Sequence, residues 1–208
     1  MSALGYIANC LFAIIAIVGG YQFYFFVQKR HRGIPSEFRF HIDDLIPFQP
    51  EWVWVYSGLY YPIIISLIFT VKSFAQFNYT AFSFITLLGM QLIIFYLFPV
   101  KIPQSWRDYE PSRSLSTRFL ALVHSFDGLP NSIPSMHVSV ATLTALHLNR
   151  NLTPLIGHYA ALSLLFPVLI GISAVFTKQH YVIDLPAGAV FGVLNFELYS
   201  YYGPQTNS

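Results

Sequence analysis

Charge is scarce in this sequence. Only 10% of its 208 residues are Asp, Glu, Lys or Arg, against 55% hydrophobic, and the mean hydropathy is +0.54. A soluble domain of this length needs far more charge to cover its surface, so the soluble globular classes are excluded. Cysteine is nearly missing as well. The lone Cys10 rules out an intrachain disulfide and any cysteine-based metal site, and it leaves the redox compartment unmarked. A net charge of +2 with no long basic run gives nucleic acid no footing as a partner. No basic residue precedes the first apolar block and no small-residue cleavage pattern follows it, so the block reads as a retained span and not a signal peptide.

What the chain has instead is long apolar runs. Six can be drawn, over residues 3–27, 52–71, 80–100, 135–148, 154–176 and 181–202. Most have the ~20 residues needed to cross ~30 Å of hydrocarbon. The expected fold is all-α: a polytopic membrane protein with six transmembrane helices in one bundle, forming a single domain over 1–208. The fourth run has only ~14 residues, or roughly 21 Å of helix, which sinks His137 below the interface. A recessed histidine needs a polar or protein-lined cavity, because lipid does not tolerate it. The long linkers 28–51 and 101–134 and the short 177–180 turn fall on one face, which brings His137, His180, Lys101 and Lys178 to the same side. Between the third and fourth spans, "SRSLSTRFLALVHSF" carries Leu115, Phe119, Leu122, Val123 and Phe126 at helical spacing. That pattern suits an interfacial helix, or equally a loop helix packed on the bundle.

Two stretches carry chemistry. In "TKQHYVID", His180 and Asp184 lie four residues apart and share a face of a helix. The carboxylate can then take a hydrogen bond from one ring nitrogen and leave the other as an acceptor or nucleophile. In "NSIPSMHVSV", His137 comes from a different helix and can face His180 across a substrate. Two histidines flanking phosphorus can divide the work, one attacking and one protonating the departing oxygen. Ser135, behind Pro134, has the position of a helix N-cap, where exposed N–H groups and the helix dipole favour an anion. Lys101, Arg107 and Lys178 at the same face complete a candidate phosphate cage.

"PSMH" and "TKQHYVID" resemble the second and third signature motifs of the type 2 phosphatidic acid phosphatase superfamily. "HIDDLIPFQPEWVWVYSGLYYP" and "NSIPSMH" are similar to its branch related to inositol phosphorylceramide and sphingomyelin synthases, over about residues 41–202. The resemblance implies a six-helix bundle with a metal-independent site and no cofactor. His180 would be the nucleophile forming a phosphohistidine, Asp184 its orienting partner and His137 the general acid. Ser135 and the Met136 backbone N–H would bind phosphate. Departures are visible. The common third motif has an arginine six residues before the nucleophile, where this chain has Ala174; Lys178 supplies the charge if the helix is continuous. The first motif is only approximated by "KIPQSWRDYEP", with Lys101 the preferred ligand and Arg107 the second. The usual glycine of the second motif is Met136.

The functional expectation is a lipid phosphatase acting on a membrane lipid phosphate or pyrophosphate, in a bacterial inner membrane. A phosphotransferase passing a phospho-headgroup to a lipid hydroxyl is the alternative, and a bis-histidine haem protein using His137 and His180 is the rival from another class. His147 and His158 read as packing or interfacial residues. Asp43 and Asp44 read as a turn or cap, and His124 and Asp127 as either the cavity entrance or a turn. Gly188 and Gly192 read as close helix packing. Nine of the eleven Lys and Arg residues fall on the face bearing the motifs. By the positive-inside rule that face is cytoplasmic, whereas the resemblance implies the outer or lumenal face.

Overall fold

The computed structural model describes residues 3–30, 32–127 and 131–202, apart from the side chains of Ala3, Ala16, Ile17 and Tyr21. Residues 128–130, which fall in the second long linker and include the glycine of the "HSFDG" stretch, lie outside the described residues. The described chain is all-helical, with a single isolated β-bridge between Ser36 and Val100. Its α-helices are α1 (Ala3–Lys29), α2 (His41–Leu45), α3 (Tyr60–Thr70), α4 (Phe74–Leu97), α5 (Leu115–Phe126), α6 (Met136–Ile156), α7 (Leu165–Phe176) and α8 (Asp184–Tyr202). A tight turn at Pro50–Trp52 and a wider π-helical stretch at Trp54–Leu59 lead into α3, and a 3₁₀ stretch at Gly157–Leu164 leads into α7.

Local chemistry sets several boundaries. The Ser73 hydroxyl accepts from Gln76 N at 3.1 Å and starts α4. Ser114 and Thr117 form a reciprocal capping box at the head of α5, with bonds of 3.1 and 2.9 Å. The Ser135 hydroxyl accepts from Val138 N at 3.3 Å and starts α6, as its position in the sequence suggests. Gly157, with φ of 59°, ends that helix in a conformation few other residues adopt.

Among the described residues, four helical runs are long and apolar enough to cross a membrane: Leu4–Lys29, Pro50–Thr70, Phe74–Leu97 and Met136–Phe176. The last is 41 residues long and is broken at Gly157, after which α7 packs back along α6. The expected short fourth span is therefore corrected. Helix α6 has 21 residues, about 31 Å. Asn149, Arg150 and Asn151 do not end it but sit inside it, and two of the three find partners on other helices. Asn151 bonds Gln76 and Thr70 at 2.8 and 2.9 Å, and Arg150 bonds Ser200 at 3.2 Å. His137 is recessed by what surrounds it and not by a short helix. The last segment is also corrected at its start, since α8 begins at Asp184 and leaves His180 in the preceding turn.

The bundle is built with large apolar side chains outward and small or polar ones inward. Ile15, Phe23, Phe69, Phe82, Leu165 and Val190 are exposed, whereas Ser139, Thr144, His147, Ser173 and Asn195 are buried. That inversion of the soluble pattern belongs to helices whose outer solvent is hydrocarbon. Polar pairs tie the interior: Gln91 to Ser139 at 2.7 Å and Ser83 to His147 Nε2 at 3.0 Å, so His147 is a packing residue as expected. His158 is exposed beside Tyr159.

Helices α6 and α8 run in parallel at close range, and two glycines make this possible. A Cβ on Gly188 would stand 2.6 Å from the Ser135 carbonyl oxygen, and one on Gly192 would stand 2.6 Å from that of Ser139. The expected close packing is thus present. Gly192→Val should lower the thermal unfolding midpoint in detergent, at a cost of about 1–3 kcal/mol or more from overpacking. Gly89→Ala, at a helix position with nothing within 4 Å, should leave the midpoint unchanged or raise it by the ~1 kcal/mol of helix propensity. Equal effects of the two variants would refute the packing account.

Candidate active site

At one end of the bundle the linkers converge through backbone hydrogen bonds. Ser36 N donates to Pro99 O at 3.0 Å, Lys101 N to Ser36 O at 2.9 Å, Ser132 N to Val100 O at 3.0 Å and Gln49 N to Phe176 O at 2.9 Å. Between them lies a cavity of about 580 Å³. Its polar end is formed by Asp127, Asn131, Ser132, His137, Gln179 and His180. Its apolar walls come from α1, the approach to α3, and α5, which contributes Phe119, Leu122, Val123 and Phe126.

His180 sits in a turn that the end of α7 creates. Lys178 N donates to Val175 O at 3.2 Å and Gln179 N to Ala174 O at 2.9 Å. This is the paired pattern of a Schellman ending, with Lys178 at φ of 57° in the place usually taken by glycine. The pairing of His180 with Asp184 is present, but not as two residues on one helix face. The turn brings Nδ1 to 3.1 Å from Asp184 Oδ2 and 2.9 Å from the Ser132 carbonyl oxygen. Both partners are acceptors, so Nδ1 carries a proton, and in the neutral ring Nε2 is the unprotonated nitrogen. Asp184 is itself held, since Oδ2 also accepts from Tyr181 N at 2.9 Å.

His137 enters from the first turn of α6. Its ring lies 4.2 Å from the Tyr56 ring, 4.8 Å from that of Tyr60 and 6.2 Å from that of His180, centroid to centroid. Tyr56 OH and His137 Nδ1 are 2.8 Å apart. The tyrosine belongs to the π-helical stretch before α3, a local widening often found at functional sites. Sequence reasoning missed Tyr56 and Ser132. No spacing pattern joins residues 56 and 137, and a backbone carbonyl has no sequence signature.

The other expected residues are placed as follows. Met136 lines the cavity at the head of α6. Ser135 is fully buried beneath it, its hydroxyl serving as the helix cap and its N–H donating to Asp184 O at 3.2 Å. Lys101 reaches Glu37 at 3.4 Å. Arg107 donates to the carbonyls of Asp127 and His124 at 2.7 and 3.3 Å, closing the C-terminal end of α5. Lys178 does not continue a helical face from Ala174, because α7 ends at Phe176. Its ammonium instead donates to Asp43 O at 2.6 Å and lies 4.9 Å over the Trp106 ring. Among the described residues, no lysine or arginine lines the cavity.

A carboxylate does line it. Burial pushes the Asp127 carboxyl up to about 6, against the opposing pull of His180 and Arg107. His124 lies behind the wall, its Nδ1 bonded to Tyr109 OH at 3.0 Å, and burial with the nearby Arg107 lowers it to about 3. Of the two candidates for the entrance, Asp127 faces the cavity and His124 supports α5.

A family model for the PAP2 superfamily matches residues 48–198, nearly three quarters of the chain. Comparison with curated proteins and with solved structures gives no match.

Asp127 makes a stability prediction whose sign follows from its raised pKa. The folded state favours the protonated form, so the contribution of this group is fully favourable below the usual carboxylate value of 3.8 and is lost as pH rises through about 6. Asp127→Asn should therefore stabilise the protein at pH 7.5 by roughly 1–3 kcal/mol. It should gain little at pH 4, as read from unfolding midpoints. A variant less stable than wild type at pH 7.5 would contradict this.

Proposed function

Since this chain belongs to the PAP2 superfamily, a superfamily of phosphatase- and phosphotransferase-type lipid enzymes, we propose that it is an integral-membrane lipid phosphatase working through a phosphohistidine, without a metal. The single observation that carries the reading is the fixed tautomer of His180, whose Nδ1–H is held by Asp184 and Ser132 while Nε2 stays bare beside His137. Nε2 attacks the phosphorus of a lipid phosphate and forms the N–P bond as the P–O bond to the lipid breaks. His137 gives its proton to the departing oxygen, with Tyr56 holding its Nδ1. Water then attacks the phosphohistidine, returns a proton to His137, and frees His180 with release of phosphate. Imidazole centroids 6.2 Å apart leave too little room for a phosphoryl group directly between them, so the group sits beside the pair, toward the cavity.

Phosphate is met at the head of α6, where the Met136 N–H and the helix dipole favour an anion, above the cap formed by Ser135. Lys101 and Arg107 lie outside the cavity lining and supply charge by leaving Glu37 and the backbone carbonyls they now hold, whereas Lys178 stays on the Asp43 carbonyl. The run Met136–Phe176 forms two spans and α8 a sixth, with α5 in the interface, in a bacterial inner membrane. A lipid hydroxyl in place of water makes the chain a phosphotransferase, as in the sphingolipid-synthase branch. The apolar walls of the cavity suit a lipid under both readings. Family membership favours phosphoryl chemistry over haem ligation.

Purified protein with excess chelator should release inorganic phosphate from dioctanoyl phosphatidate or a polyprenyl pyrophosphate. His180→Ala should lower kcat by at least ~10³-fold and abolish an acid-labile phosphoenzyme, and His137→Ala should let phosphoenzyme accumulate from a substrate with a good leaving group. Activity lost on chelation, or retained in His180→Ala, would overturn the mechanism. Headgroup transfer to ceramide or diacylglycerol with no phosphate release would favour the transferase.

A further inference from the structure

The turn that presents His180 is short, irregular and poorly supported by its own sequence. It contains Lys178 in a left-handed conformation that is unfavourable for a residue with a side chain. It also lies outside both flanking helices, α7 ending at Phe176 and α8 starting at Asp184. Something must hold it, because a nucleophile misplaced by an ångström loses most of its rate.

The holder comes from far away in the chain. Asp43, on the short helix α2, is 2% exposed. Its Oδ1 accepts from Val182 N at 2.8 Å, and its carbonyl oxygen accepts from Lys178 Nζ at 2.6 Å. Its Oδ2 accepts from Phe40 N at 2.8 Å, which fixes the carboxylate on its own segment. Lys178 and Val182 stand two residues before and two residues after His180. One residue therefore grips the turn at both flanks of the histidine without touching the ring. The segment carrying Asp43 is anchored in turn by the Ser36 bonds to Pro99 and Lys101. Its neighbour Asp44 faces outward and pairs with Arg39.

We infer that Asp43 is a positioning residue for His180, clamping the 177–183 turn so that Nε2 is aimed into the cavity. The inference rests on the reading of His180 as nucleophile. Without the Asp43 carboxylate, Val182 N–H and Phe40 N–H lose their acceptors, the backbone carbonyl that receives Lys178 Nζ is no longer fixed in place, and the turn samples geometries in which the Asp184 and Ser132 bonds to Nδ1 are no longer held together. Asp43 does not line the cavity, and the apolar walls on α1 and α5 are unchanged by its loss.

The test uses the full chain in detergent, with dioctanoyl phosphatidate as the probe and two readouts. Asp43→Ala should lower kcat by about 10–100-fold with KM within about threefold of wild type. In the absence of substrate, amide hydrogen exchange in a peptide covering 177–184 should quicken by at least about tenfold. Asp43→Asn should fall between wild type and Asp43→Ala in both, since its one amide oxygen can serve only one of the two N–H donors. Asp44→Ala should match wild type in both. Where Asp43→Ala does not fold, the Asn variant carries the test, with smaller shifts in the same directions expected. Unchanged exchange in the 177–184 peptide would overturn the clamp. Faster exchange with unaltered kcat per folded molecule would reduce Asp43 to a structural residue. A wild type that releases no phosphate from any lipid phosphate sinks the phosphatase reading instead, and the exchange measurement then decides the clamp by itself.

Discussion

One hydrogen-bonding arrangement organises the end of this bundle. The proton on His180 Nδ1 is shared between the Asp184 carboxylate and the Ser132 carbonyl, which come from the start of α8 and from the loop leading into α6. For both acceptors to meet one nitrogen, α8 must lie directly against the head of α6. The bond from Ser135 N to Asp184 O fixes that contact, and the bare face of Gly188 over Ser135 allows it. A single added methyl at Gly188 would push apart the two helices that hold the two acceptors. Packing and chemistry are therefore coupled at this point.

The rest of the bundle serves the same geometry in a medium that offers no help from water. Its outward face is Ile, Leu, Val and Phe, and its inward face is small or hydrogen-bonded. Buried polar pairs such as Gln91–Ser139 and Ser83–His147 set the rotation and depth of α4 against α6. A buried amide or hydroxyl left unpaired costs more than a rotated apolar side chain, so these pairs define register where apolar packing alone would tolerate sliding. Tyr56 and Tyr60 extend this logic to His137, which is enclosed by aromatic rings and bonded at one nitrogen, instead of being exposed to lipid.

The electrostatics of the cavity differ from a simple phosphate cage. The three cations at this end are each engaged elsewhere, and the ionisable group facing the cavity beside the histidines is Asp127. A carboxylate with its pKa near 6, set there by burial, makes the charge of the cavity sensitive to pH in the neutral range. The anion-attracting element that remains in place is the backbone at the head of α6, which carries its partial charge without a titrating side chain.

By itself the sequence determined the helical class, the membrane character, the two motif stretches and the pairing of His180 with Asp184. Each of these rests on composition or on residues close together in the chain, where spacing restricts geometry. It also determined the close approach at Gly188 and Gly192 and the capping role of Ser135, because a missing side chain and a capping hydroxyl act locally. What only the tertiary structure decided depends on contacts across long separations. The length of α6 was set by partners for Asn151 and Arg150 on α3, α4 and α8, which override the polar residues that look like a helix end. The Schellman turn at Lys178 lacks its usual glycine and is tolerated because Asp43, 135 residues earlier, receives the ammonium. Tyr56 on His137 and Ser132 on His180 likewise arise from the fold, since a hydrogen bond between residues 81 or 48 positions apart leaves no periodic trace.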